Sequence, residues 1–181
     1  MEKAWKYPVV VMEGKTLREL QAPLKEQYKR DPESALVLLK AECILGDDLT
    51  ATVNTPVGTV TAGLHSATGG SGTFACSGDM LLQALAACAG VTMNAVATAL
   101  EITLIKAVIK VEGEVDFRGT LGVSKETPVG FKNINLDFII DSDAPADKIA
   151  TLVSLTERYC VVLQTIKNTP EITNKITRIE R

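Results

Sequence analysis

The chain reads as one α+β domain, and three features predict it. Short one-sided strands come first, a long uncharged helical stretch from Met80 to Leu100 follows, and two long alternating strands with a further helix and a short strand complete the order. Strands grouped apart from helices, rather than in regular alternation, indicate α+β and not a doubly wound sheet. The 181 residues suffice for one full core and are too few for two independent ones. Fractions of 46% hydrophobic and 23% charged residues are those of a folded rather than a disordered chain.

Residues 1–34 read as an N-terminal helical extension and residues 35–181 as the main domain. Leu17, Leu20, Leu24 and Tyr28 recur at helical spacing from Thr16 to Tyr28, and Arg30-Asp31-Pro32 stops that helix. From Leu36 to Leu45 the alternation places Val37, Leu39, Ala41, Cys43 and Leu45 on one face of a strand. Turns at Gly46-Asp47-Asp48 and Asn54-Thr55-Pro56-Val57-Gly58 divide it from a second strand ending at Thr55 and a third ending near Leu64, a meander. His65 to Ser77 is a loop rich in Gly, Ser and Thr.

The uncharged stretch is long enough to span a bilayer. Alanine dominates it, however, and Gln83, Thr92, Asn94 and Thr98 interrupt it. Wound at about 100° per residue, it gathers Asp79, Gln83, Gly90, Asn94, Thr98 and Glu101 on one narrow polar stripe. The remaining circumference is apolar, which predicts a core helix wrapped almost entirely by protein. One small sheet cannot cover so much apolar surface, so a second copy of the chain is the expected cover.

Beyond Glu101, Ile105, Ala107, Ile109, Val111, Val115 and Phe117 alternate with Lys106, Lys110, Glu112, Glu114 and Asp116, a strand with one solvated face. Gly119–Gly130 reads as a loop, and Ile134, Leu136, Phe138 and Ile140 as the apolar side of the next strand. Asp143-Ala144-Pro145 opens a second helix, with Ile149, Val153, Cys160 and Leu163 along its apolar side. Glu171–Ile179 reads as a last, short strand.

A net charge of −3 without a basic run argues against nucleic acid or an anionic membrane as partner. An aromatic fraction of 4% argues against base-stacking surfaces as well. Met1-Glu2-Lys3-Ala4-Trp5-Lys6 lacks the apolar core of a signal peptide. The four cysteines form no Cys-x-x-Cys pair, and with His65 as the one histidine no metal site of the usual kinds is expected. The expectation is a cytoplasmic protein with reduced thiols and no cofactor.

Chemistry then rests on the thiols. Cys43 alternates with the core residues of its strand. Cys88, among alanines and about 130° from the polar stripe, reads on its own as a small buried apolar residue, and so does Cys160. Cys76 precedes a helix N-terminus, where the dipole favours thiolate; it reads equally as an ordinary loop residue. Asp79 and His65 are the other candidates for supporting roles. Their plainer readings are a first-turn carboxylate facing the helix dipole and an exposed loop histidine, against a base or hydrogen-bond partner for the thiol. Arg158, two residues from Cys160, points elsewhere on a helix and is expected in a surface or interface ion pair.

Two stretches taken together change the weight of these readings. Cys76-Ser77-Gly78-Asp79-Met80-Leu81-Leu82-Gln83-Ala84-Leu85-Ala86-Ala87-Cys88 resembles the long-helix motif of the osmotically inducible protein C (OsmC)/organic hydroperoxide resistance family. That motif runs Ser/Asn-Pro-Glu, a small apolar helix, then Ala/Gly-Ala-Cys. Glu157-Arg158-Tyr159-Cys160-Val161-Val162-Leu163-Gln164-Thr165-Ile166 resembles the second motif, in which Cys-Pro-Val precedes Thr-Leu. The spacing of the two cysteines fits, and the likeness covers residues 35–181.

The resemblance implies an intertwined homodimer, with long helices packed centrally and thiol sites near the interface. It also implies thiol-dependent reduction of organic hydroperoxides in oxidative-stress defence. Cys88 would attack the peroxide, Cys160 would resolve the sulfenic acid, and a dithiol or lipoyl-type reductant would reset the pair. Three positions depart from the family pattern. Gly78 stands where a Glu is expected, with Asp79 beside it. No Arg occurs between Arg30 and Arg118, leaving Lys40 as the nearest cation, and Val161 stands where Pro is usual. An apolar site without its guanidinium is expected to hold the Cys88 thiol at or above its ordinary pKa. The other function this fold accommodates is a non-catalytic dimer that binds a small apolar molecule in the interface pocket.

Overall fold

The computed structural model describes residues 12–179, and its element order matches the sequence pattern at the centre while departing from it at both ends. Helix α1 spans Gly14–Arg30, slightly longer than the Thr16–Tyr28 periodicity. Lys29 and Arg30 extend its last turn, where the dipole favours cations. Pro32 then opens a short 3-10 turn, Pro32–Ala35. None of the residues of α1 is buried. It touches the body at the end of the helix Ser77–Leu100 (α2), where Arg18 pairs with Glu101 at 3.0 Å.

Strands β1 (Glu42–Leu45), β2 (Thr50–Thr55) and β3 (Gly58–Gly63) form the expected antiparallel meander, with Cys43 opposite Val53 and Ala51 opposite Ala62. The first strand is far shorter than the alternation from Leu36 suggests. Glu42 already pairs with Asn54, and Thr55 enters the turn. Residues before Glu42 therefore have no backbone opposite them. Leu36, Val37, Leu38 and Leu39 are all exposed, Leu39 by 84%. Cys43 is exposed too, which corrects its reading as a core residue.

Helix α2 starts after Cys76, whose extended backbone (φ −79, ψ 137) forms the N-cap. It ends at Glu101 in the left-handed region, φ 57. By length and composition it could cross a membrane; in this fold it is the helix on which the other elements pack. Leu85, Ala89, Met93 and Ala97, four residues apart on one face, are buried against α4 (Ala146–Tyr159), α5 (Val161–Lys167) and β4 (Lys106–Val115). The expected all-round burial is not met within one chain. Val91, on the other side, is 73% exposed, because the meander does not reach across that face.

Strand β4 pairs antiparallel with β5 (Phe131–Asp141), placing Ile109 opposite Phe138 and Val111 opposite Leu136, with an irregularity at Glu114/Val115. A β-carbon on Gly113 would lie 2.6 Å from the Phe131 ring, so any larger residue there would have to displace that ring. Phe117, expected at the end of the strand, instead begins a four-residue helix α3 (Phe117–Thr120), because the Asp116 carboxylate accepts the Arg118 N–H and caps it. Glu171–Ile179 forms no strand; Ile172, Ile176 and Ile179 are exposed, and among the described residues no strand pairs with them.

The second helix is broken where the apolar periodicity runs straight on. Helices α4 and α5 meet at Cys160, whose extended backbone (φ −71, ψ 104) turns the chain by 69°. Two buried clusters result. One joins Leu85, Ala89, Cys160 and Leu163; the other joins Met93, Ala97, Ile102 and Leu152. Thr156 is buried beside them and satisfies its hydroxyl on the Leu152 carbonyl at 2.8 Å. Leu85, Met93 and Leu152, each fully buried, contribute about 1.5–3 kcal/mol apiece.

Candidate active site

The bend at Cys160 decides the geometry of the site. Within a straight helix, Cys160 would be one more residue of an apolar stripe. At the bend its side chain turns into the cluster formed by Leu85, Ala89 and Leu163, and Cys88 packs against that same cluster from α2. The two cysteines are thus brought together from separate elements, and both are free thiols. Cys160 is fully buried, Cys88 half-buried. Ile109, Val111, Ile134, Leu136 and Phe138 of the two-stranded sheet floor the cluster.

This environment sets the acidities of the two thiols apart. Burial pushes the Cys88 thiol up, but the N–H groups of Val162 and Val161, the Cys160 thiol and the Thr92 hydroxyl all favour its charged form, and the result lies below the ordinary value of 9.0. Burial also pushes Cys160 up; the Leu163 N–H opposes this, the neighbouring Cys88 adds to it, and the thiol stays above 9.0. The sequence-based expectation of a raised Cys88 pKa is therefore corrected. The Val162 N–H, the Cys160 thiol and the Thr92 hydroxyl, with a smaller part from the Val161 N–H, take the place of a guanidinium in offsetting the desolvation.

The supporting candidates are not gathered at this pair. His65 stacks on Phe117 with ring centroids 4.8 Å apart, and its Nδ1 accepts the Ala67 N–H. Cys76 caps α2 three turns before Cys88 without a side-chain cap bond. Asp79 sits in the first turn and, with Leu82, Gln83, Ala86, Ile109 and Val111, lines an open cavity of about 390 Å³ beside β4. Lys40 is exposed in the unpaired segment before β1. Arg158 lies over the Tyr159 ring at 5.4 Å and makes no ion pair among the described residues of the single chain, while Glu157 pairs with Lys167 at 3.9 Å.

Thr92 and the N–H groups at positions 161 and 162 were not singled out from the sequence. Thr92 is four residues after Cys88 and so on the same helix face, a signal available from spacing alone. The N–H groups become available only through the bend, which side-chain periodicity does not encode.

Two antiparallel sheets, a long central helix and a thiol pair formed between that helix and a helix break define an α+β dithiol protein. The family model described as OsmC-like protein matches residues 70–175, more than half of the sequence, and the chain belongs to that family. Solved structures repeat the fold. An OsmC-like protein from Mycoplasma pneumoniae is 23% identical, with a TM-score of 0.61 over 74% of this chain and 89% of that one. An organic hydroperoxide resistance protein OsmC from Legionella pneumophila is 20% identical, with a TM-score of 0.56 over 74% and 91%. An organic hydroperoxide resistance protein from Elizabethkingia anophelis is 14% identical, with a TM-score of 0.58 over 74% and 91%. No curated protein sequence matches the chain. Identities this low establish the shared fold.

Proposed function

We propose that the protein is a thiol-dependent organic hydroperoxide reductase acting in oxidative-stress defence, with Cys88 as nucleophile and Cys160 as resolving thiol. The observation that carries this reading is the meeting of the two thiols in one apolar cluster with their acidities driven in opposite directions. The more acidic, half-buried thiol is the one suited to attack. The Cys88 thiolate attacks one peroxide oxygen and the O–O bond breaks. A sulfenic acid forms on Cys88, and the alkoxide leaves and takes a proton to become the alcohol. The Cys160 sulfur then attacks Cys88, the S–O bond breaks, and water leaves as the disulfide forms. An external dithiol of the dihydrolipoyl type returns both cysteines to thiols and is itself oxidised to a disulfide.

The apolar floor of Ile109, Val111, Leu136 and Phe138 favours an alkyl or aryl hydroperoxide over hydrogen peroxide. The active unit is a homodimer, in which a second copy covers the exposed apolar side of α2. Intact mass after one equivalent of cumene hydroperoxide tests the chemistry: the expected product is lighter by two hydrogen atoms through a Cys88–Cys160 disulfide. Cys88→Ser abolishes peroxide consumption, and Cys160→Ser leaves a sulfenic acid that dimedone traps. Intact thiols after peroxide, with Cys88→Ser behaving as the parent, would overturn the reading. The cavity beside Asp79 and Gln83 would then favour the alternative, a dimer that binds a small apolar molecule without turnover.

A further inference from the structure

In a continuous helix the Glu157 carbonyl would accept the Val161 N–H, four residues on. The bend at Cys160 separates the two groups, and no hydrogen bond joins them; the Val161 N–H is instead one of the groups that favour the charged form of Cys88. A half-buried carbonyl left without a donor opposes such a bend. The Gln164 side chain fills the vacancy: its Nε2 donates to the Glu157 oxygen at 2.8 Å, spanning the break from α5 back to α4. The amide is held in that orientation from the other side, where Asn168 Nδ2 donates to Gln164 Oε1 at 3.2 Å and to the Gln164 carbonyl at 3.1 Å. The Gln164 N–H itself donates to the Cys160 carbonyl at 2.9 Å, so the residue is tied to both sides of the bend.

We propose that Gln164 is a positioning residue for the thiol pair. By taking the place of the Val161 N–H on the Glu157 carbonyl, it holds open the bend that sets Cys160 and the N–H groups of Val161 and Val162 against Cys88. This rests on the thiol-pair reading above and adds the part that assembles it. The residue does not touch the reacting atoms. Its effect reaches Cys88 through the backbone of residues 160–162. The titratable group facing Cys88 across the contact is the Cys160 thiol; the strands beneath contribute Ile109, Val111, Ile134, Leu136 and Phe138, none of which ionises.

The test uses the full chain and two readouts that need no hydroperoxide. One is the pH dependence of Cys88 alkylation by iodoacetamide, followed by peptide mass. The other is the rate at which diamide, reduced to its hydrazine by two electrons and two protons, closes the Cys88–Cys160 disulfide. Gln164→Met keeps the length and removes the donor. It is expected to move the Cys88 alkylation midpoint upward and to slow disulfide closure about tenfold, since closure tolerates little misplacement.

Val161→Pro in the Gln164→Met background supplies the control. Proline at the first position of α5 suits the helix start, follows the extended Cys160, and cannot extend α4 because its ring would clash with the Glu157 carbonyl. The double variant is expected to recover the closure rate, while the alkylation midpoint recovers only in part because one N–H is gone. Unchanged readouts in Gln164→Met, or no recovery of closure in the double variant, overturn the proposal. If Gln164→Met does not fold, folded protein on adding Val161→Pro supports the role and its absence overturns it. Wild-type protein that closes the disulfide with diamide yet consumes no hydroperoxide removes the functional reading and leaves the positioning role standing.

Discussion

Cys88 and Cys160 face each other between α2 and the start of α5, and the contact pulls their pKa values apart, lowering that of Cys88 and raising that of Cys160. The Val162 N–H, the Cys160 thiol and the Thr92 hydroxyl favour the thiolate of Cys88, whereas burial and the neighbouring Cys88 push Cys160 up against the opposing N–H groups of Leu163 and Val162.

Alkylation as a function of pH should resolve the two thiols. The midpoint of Cys88 is expected below 9.0 and that of Cys160 above it. The linkage signs differ accordingly. A depressed thiol in the folded state adds stability that is present above 9.0 and lost as pH falls through the lowered value; the raised Cys160 adds stability present below 9.0 and lost as pH climbs through the raised one. Midpoints in the reverse order would assign the attacking role to Cys160 instead.

The exposed apolar side of α2 leads to a prediction about assembly. Val91→Glu places a charge on that side, where Val91 is 73% exposed in the single chain. A homodimer buried there should dissociate or fail to assemble, and the melting temperature of the parent should rise with protein concentration. A monomeric mass for the parent by light scattering, with a melting temperature independent of dilution, would remove the dimer.

Deletion of residues 1–34 is expected to leave a folded protein. Helix α1 buries none of its own residues and meets the body at the end of α2 through the exposed Arg18–Glu101 pair, the kind of ion pair that contributes about 0–1 kcal/mol. Gly14 belongs to the same contact: a β-carbon there would sit 2.6 Å from the Thr98 carbonyl oxygen. Circular dichroism of the truncated protein decides the matter, and an unfolded product would make the extension part of the core.

Leu85→Ala should destabilise the protein by about 2–5 kcal/mol in urea denaturation, the cost of a large-to-small change in a close-packed site. Leu85 is fully buried in the cluster that holds Cys160, so disulfide closure should slow as well. A loss well under 1 kcal/mol would mean that the cluster is loosely packed.

Much of the fold is legible in the residues themselves. The meander after Glu42, the long helix from Ser77, the paired strands β4 and β5 and the helix after Pro145 all follow from apolar alternation and turn residues, because period and punctuation are local properties of the chain. Cys88 and Cys160 stand out by their two motifs. Where the reading went astray, a partner strand or a backbone bend was responsible. Leu36–Ala41 alternates like a strand but runs past the end of its ladder, and Glu171–Ile179 has no neighbour to pair with.

The sequence by itself determined the fold class, the central helix and the two cysteines. Tertiary structure decided that Cys88 is the more acidic of them. That outcome depends on the chain turning 69° at Cys160, which sets the Cys160 thiol and the Val162 N–H beside Cys88. The apolar periodicity of α4 and α5 runs through the turn without a mark, since side-chain spacing records which face is buried and not which carbonyl loses its donor. Only the folded arrangement places Gln164 on the Glu157 oxygen in the place the Val161 N–H would take in a continuous helix.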